Sequence, residues 1–141
     1  MNDDRAFFDS NLLIYCFDLQ DHRKREVAHG LVLEKGAAGT GVISYQVHQE
    51  FVSVSIRRLK EPVKVRRMLE GFEHLAFGLE TLGFSEVLFR RAIRLWERYS
   101  LSWYDALIVA AALEGRCEVL FSEDPQHGLE IDGMRIVNPF L

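Results

Sequence analysis

The sequence predicts an α/β fold: a three-layer α/β/α sandwich whose central parallel sheet has about five strands. Three observations carry this. Short apolar runs alternate along the chain with longer segments of helical periodicity. The helical segments open on Asp, Ser or Pro and tend to close on Gly, as capped helices do. The 141 residues, 48% apolar and 27% charged, suit one domain with one core. We therefore expect residues 1–141 to form a single domain.

Ala6-Phe7-Phe8 is apolar and ends at Asp9, as a buried first strand would. Asp9 or Ser10 caps a helix carrying Leu12, Leu13, Ile14 and Tyr15. A second helix covers about His22 to Lys35, with Val27, Leu31 and Val32 inward, and Gly36 and Gly39 end it. Gly41-Val42-Ile43 reads as a strand, after which Ser44 caps a long helix to about Leu59. Pro62 suits the first turn of the next helix, which runs to about Phe72 or His74. Leu79 to Phe84 reads as a strand, and Ser85 opens a helix to about Tyr99. Ser102 caps a helix through Leu113, and Gly115 stands where a C-terminal glycine belongs. Val119-Leu120-Phe121 and Met134 to Val137 are the last two strands.

Composition excludes several classes. It is not that of a disordered, collagen-like or disulfide-scaffold chain. The longest apolar run, Ala106 to Leu113, is far below the ~18 residues that span a bilayer. Met-Asn-Asp-Asp-Arg at the start lacks the basic and apolar regions of a secretory leader, so a cytoplasmic location and no membrane partner are expected. Cys16 and Cys117 lie in apolar surroundings without metal spacing and read as buried thiols. Seventeen basic against 21 acidic residues give a net charge of −4, which argues against a passive nucleic-acid binder. The charge is nonetheless uneven. Arg57, Arg58, Lys60, Lys64, Arg66 and Arg67 cluster around one acid, Glu61, and Arg90, Arg91, Arg94 and Arg98 form a second group. Each reads as a solvated helix face or as a local track for phosphates.

Four acids break the expected pattern. Asp9 closes the first strand, and Asp124 lies just past the strand at Val119. Glu50 falls between Val47 and Val54 on the apolar stripe of its helix, where a lone carboxylate is costly to bury. Asp105 opens a helix that is apolar nearly all round. Singly, each has a structural explanation: Asp9 as a helix cap, Asp105 as half of a capping box, Asp124 as turn chemistry before Pro125, Glu50 at the edge of its stripe. Together they are harder to dismiss, because open α/β sheets bind ligands beyond the carboxyl ends of their strands. Four crowded carboxylates need a cation, and an all-oxygen donor set without Cys or His favours Mg²⁺ or Mn²⁺. Such a site suits phosphodiester hydrolysis by a metal-activated water.

These residues carry a resemblance. Phe7 to Tyr15 (FFDSNLLIY), Val42 to Phe51 (VISYQVHQEF), Leu101 to Leu113 (LSWYDALIVAAAL), Val119 to Gly128 (VLFSEDPQHG) and Met134 to Phe140 (MRIVNPF) follow in the order of the anchors of PIN-domain ribonucleases. More narrowly, the chain resembles the VapC-type toxins of toxin–antitoxin pairs. The resemblance implies that Asp9, Glu50, Asp105 and Asp124 are the catalytic, metal-binding acids, with Asn11 and Ser122 supporting them. Glu123 adjoins the fourth acid, but the spacing from Ser122 fits Asp124, and His127 reads as a surface-loop residue. Also implied are metal-dependent cleavage of RNA, a homodimer, and inhibition by a cognate VapB-type antitoxin. Arg57, Arg58, Lys64, Arg66 and Arg67 are candidate RNA-binding residues.

Three other readings compete. A phosphatase with an aspartyl nucleophile would want an acid two places after the first, where Asn11 stands. A non-catalytic RNA- or partner-binding module would tolerate loss of an acid, and all four are present. A nucleotide-binding dehydrogenase would need a Gly-rich turn after the first strand, and there is none.

Overall fold

The computed structural model describes residues 5–124 and 126–141. The first four residues, part of the segment read for a leader, and Pro125, part of the expected turn, lie outside the described residues. In chain order the elements are β1 (Ala6–Phe8), α1 (Ser10–Tyr15), α2 (His22–Ala38), β2 (Gly41–Ser44), α3 (Tyr45–Leu59) and α4 (Pro62–Ala76). They continue with β3 (Glu80–Leu82), α5 (Glu86–Tyr99), α6 (Trp103–Glu114), β4 (Val119–Phe121), β5 (Glu130–Ile131) and β6 (Met134–Val137). The strands form one sheet in the order β3-β2-β1-β4-β6-β5, parallel throughout except for the β5–β6 pair. Helices flank it, as the alternation of strand and helix requires.

The sheet has six strands rather than about five. The additional strand, β5, is only two residues long and joins β6 through Asp132 and Gly133, both with positive φ (49° and 85°). Asp-Gly is the dipeptide that a two-residue hairpin favours, because both turn residues must take left-handed conformations. β3 is shorter than the expected Leu79–Phe84 and lies at the sheet's edge, largely exposed. α2 runs on to Ala38: Gly36 is inside it, and Gly39, with φ 74°, ends it. Ser44 holds the N-cap position of α3 but makes no cap hydrogen bond. Gly115 ends α6 with an ordinary φ of −75°. Its lack of a side chain serves space, because a Cβ there would stand 3.1 Å from Leu82 Cδ1 and 3.2 Å from Val42 Cγ1.

The core runs through the middle of the sheet. Every residue of β1 and β2 is buried, and Phe7, Phe8, Leu12, Leu13, Ile43, Val47 and Phe51 are wholly enclosed. α6 packs on β2 and β4 and, apolar nearly all round, buries Ala106 and Ile108 through Ala112. Both cysteines are buried free thiols, and burial pushes each up to about 12. Among the described residues, no helix is long and apolar enough to cross a membrane.

The site is set by where the chain reverses across the sheet. From β1 it first builds outward to β2 and β3, then returns to place β4 on the opposite side. That switch point opens a crevice beyond the carboxyl ends of β1 and β4. Phe8 pairs in register with Phe121, so the next residues, Asp9 and Ser122, emerge side by side.

Candidate active site

Asp9 leaves β1 at the N-cap of α1 and is buried, only 5% exposed as a residue. Oδ1 accepts the Ser10 N–H at 2.7 Å, and Oδ2 accepts the Ser122 hydroxyl at 2.8 Å. The capping reading is therefore correct for one oxygen only. The other turns across the switch point towards β4. Ser122, itself buried, also accepts the backbone N–H of Asp124 at 3.1 Å. One hydroxyl thus ties the ends of the two strands together and orients the turn that carries Asp124.

Asp105 arrives from α6. Ser102 caps that helix by accepting the Asp105 N–H at 3.2 Å, which fixes the backbone of the first turn. The Asp105 side chain lines the same small pocket as Asp9, Ser122 and Asp124, against walls formed by Leu101, Ile108, Val109, Leu120 and Ile136. Gln126 joins this lining. It is not among the residues the sequence points to, since a glutamine two places beyond an acid carries no pattern of its own.

Glu50 does not line the pocket. It lies half-buried on α3, on the flank of the apolar stripe, and its Oε2 accepts from Gln46 Nε2 at 3.3 Å. Gln46 also donates to the Tyr104 carbonyl at 3.2 Å, so it bridges α3 to the first turn of α6 beside Asp105. Glu50 is still close enough to act on Asp9 electrostatically.

Asn11 Oδ1 accepts the Glu123 N–H at 3.4 Å, a backbone support for the turn after β4. Glu123 turns away from the pocket to Tyr15 and Lys24, so of the two adjacent acids Asp124 is the one that faces Asp9. His127 is exposed, and its Nδ1 accepts the Asn138 N–H at 2.9 Å. Arg57, Arg58, Lys64, Arg66 and Arg67 are all exposed around the turn between α3 and α4. Of the second basic group, Arg90 and Arg91 pair with Glu86 and Glu114.

The electrostatics follow from the crowding. Burial pushes the Asp9 carboxyl up to about 7; the hydrogen bond from Ser122 opposes this, and the negative charges of Asp124 and Glu50 add to it. Asp124 is also raised, by desolvation and by the negative charge of Asp105, with the hydrogen bond to Ser122 opposing the rise. The donor set is all oxygen and short of positive charge, which suits a hard divalent cation. Among the described residues, no three carboxylates stand together tightly enough to form a closed ligand group. The fit is therefore in donor type and charge, with Asp9, Asp105 and Asp124 as the residues that would hold the ion.

A family model described as the PIN domain matches residues 6–128. No curated protein matches the sequence. Among solved structures, the chain resembles a toxin–antitoxin complex from Klebsiella pneumoniae at 23% identity and a TM-score of 0.65, covering 95% of this chain and 97% of that one. FitAcB from Neisseria gonorrhoeae shares 16% identity with a TM-score of 0.70, covering 96% and 98%. VapC20 of Mycobacterium tuberculosis, described as a toxin that cleaves the sarcin-ricin loop, shares 16% identity with a TM-score of 0.63, covering 84% and 89%. At these identities the likeness is one of fold.

Proposed function

The chain belongs to the PIN domain family, and from that premise we propose that it is a Mg²⁺- or Mn²⁺-dependent endoribonuclease and the toxin of a toxin–antitoxin pair. The observation that carries this reading is the meeting of Asp9, Asp105 and Asp124 from three separate elements around one pocket at the switch point of the sheet. Residues 1–141 act as one domain in this reading, consistent with the pairing of β6 on β4 beyond the matched family region.

Asp9, Asp105 and Asp124 would hold the cation, with Glu50 acting from the flank. When bound, the ion supplies an activated water and neutralises charge on the phosphate. The protein's own residues prepare the place for it. Ser10 and Ser122 hold the Asp9 carboxylate in one orientation. Ser122 and Asn11 hold the backbone that presents Asp124. The apolar wall of Leu101, Ile108, Val109 and Leu120 backs the buried Asp9, and this keeps water from that carboxylate and strengthens the charge interactions it makes. Arg57, Arg58, Lys64, Arg66 and Arg67 give an RNA backbone a positive surface on a chain of net charge −4. A VapB-type antitoxin is a proposed protein partner, in keeping with a solved neighbour described as a toxin–antitoxin complex, and a second copy of the chain is proposed beside it.

The test is cleavage of RNA by the purified chain with Mn²⁺, with Mg²⁺ and with EDTA. Cleavage that requires the metal supports an enzyme. RNA binding with no cleavage under any of these conditions would favour the non-catalytic module.

A further inference from the structure

The turn after β4 is held on its outer side by a cluster that the proposed chemistry does not use. Tyr15, the last residue of α1, donates its hydroxyl to Glu123 Oε1 at 2.6 Å. Lys24 on α2 donates to the Tyr15 hydroxyl at 3.2 Å and also to Glu123 Oε2. The Lys24 ammonium lies 4.8 Å from the centroid of the Tyr15 ring and 5.4 Å from that of Phe140. Those two rings pack edge to face at 5.1 Å. Phe140 is buried, and Arg23 donates to its carbonyl oxygen. The C-terminal segment is tied to the same turn a second time, through the Asn138 N–H on His127 Nδ1.

Glu123 therefore has a fixed direction, set by the first two helices and braced by the end of the chain. Its neighbour Asp124 lines the carboxylate pocket and Glu123 does not. Pinning one of two adjacent residues outwards restricts where the other can point. We propose that Tyr15, Lys24 and Glu123, braced by Phe140, are positioning residues that aim Asp124 at the pocket, with Lys24 as the joint that contacts both of the others. This rests on the metal-site reading for its consequence in catalysis, though not for the geometry of the cluster.

The sign of one measurement separates positioning from simple charge. Removing a cation near a metal site should tighten divalent-ion binding if Lys24 acts only through its field. If Lys24 holds Asp124 in place, its removal should weaken binding instead. The experiment is calorimetric titration of the full chain with Mn²⁺, alongside kcat and KM on an RNA that the wild type cleaves. Lys24→Met should weaken Mn²⁺ binding and lower kcat by about 10- to 100-fold with little change in KM, the range for residues that orient metal ligands. Tyr15→Phe keeps the ring against Phe140 and should show a smaller loss of the same kind. Lys24→Arg should recover most of both quantities, and Lys24→Met should add little to Asp124→Asn, since both act through one carboxylate. Unchanged or tighter Mn²⁺ binding in a folded Lys24→Met variant would overturn the proposal. Should Lys24→Met not fold, unchanged binding and kcat in Tyr15→Phe would overturn it equally. If the wild type binds Mn²⁺ but cleaves no RNA, the ribonuclease reading fails, while the calorimetric comparison still decides the positioning role.

Discussion

Ser122 donates its hydroxyl to Asp9 Oδ2 at 2.8 Å, joining two residues that are far apart in sequence and adjacent in space because Phe8 and Phe121 pair in register. The same oxygen accepts the Asp124 N–H, so loss of one small side chain disturbs two of the three pocket aspartates. Ser122→Ala should fold, with a stability loss of about 1–3 kcal/mol from an unsatisfied buried carboxylate. Metal-dependent cleavage should fall about 10- to 100-fold, and Ser122→Thr, which keeps the hydroxyl, should retain most of it. Melting curves and cleavage rates of the two variants check this.

The Asp9 carboxyl imposes a pH dependence on the metal-free protein. Burial raises it from 3.8 to about 7, so the folded state holds its proton more tightly than the unfolded chain does. That contribution to stability is full below about pH 4 and is lost as pH rises through about 7. The gap, at about 1.4 kcal/mol per pH unit, sets a ceiling between about 4 and 5 kcal/mol. Asp124, also raised, acts in the same direction. Urea titrations in EDTA should show stability falling between about pH 4 and about pH 7, with a flatter profile in Asp9→Asn. Saturating Mn²⁺ should reverse the trend, since the ion binds the ionised form.

Glu50 lies outside the pocket lining, and its effect should be graded accordingly. Glu50→Gln should weaken Mn²⁺ binding less than Asp124→Asn does and leave the helix intact. Calorimetry on the two variants orders them, and the reverse order would make Glu50 a closer partner of the metal than its place on α3 suggests.

The exposed basic residues at the α3–α4 turn should contribute through charge alone. Neutralising Arg57, Arg66 and Arg67 should weaken RNA binding and flatten its salt dependence, by at most about 0.7 in slope for each phosphate no longer neutralised. Binding isotherms at several salt concentrations, using the EDTA-treated protein, read this directly. An unchanged slope would mean that these charges only solvate the helices.

The convergence of Asp9, Asp105 and Asp124 is legible in the sequence because each acid contradicts its surroundings: the end of a buried strand, an apolar helix, and the turn just past a strand. The rule that such sheets bind at their carboxyl edge then brings them together. Glu50 is less legible. Helical spacing gives its angle around α3 but not how far that flank stands from β1. Lys24 and Tyr15 carry no local mark at all. A lysine on a polar helix reads as solvated, and its tie to Glu123 exists only once α2 is folded against the turn after β4. The β5–β6 hairpin is different, since Asp132-Gly133 announces it, but two-residue strands leave no periodicity to support the reading.

The metal-site assignment meets its most direct test in single-turnover cleavage of RNA by Asp105→Asn against wild type, both folded and both at saturating Mn²⁺. Asp105 lines the pocket with its side chain, while its structural duty in the first turn of α6 rests on its backbone N–H and the Ser102 hydroxyl. The substitution should therefore leave the fold intact and reduce cleavage by at least about 100-fold, because it removes a charged oxygen donor from the proposed cation site, and with it the charge stabilisation that the cation supplies. Cleavage at the wild-type rate, with contaminating nuclease excluded by a mock purification, would contradict the assignment.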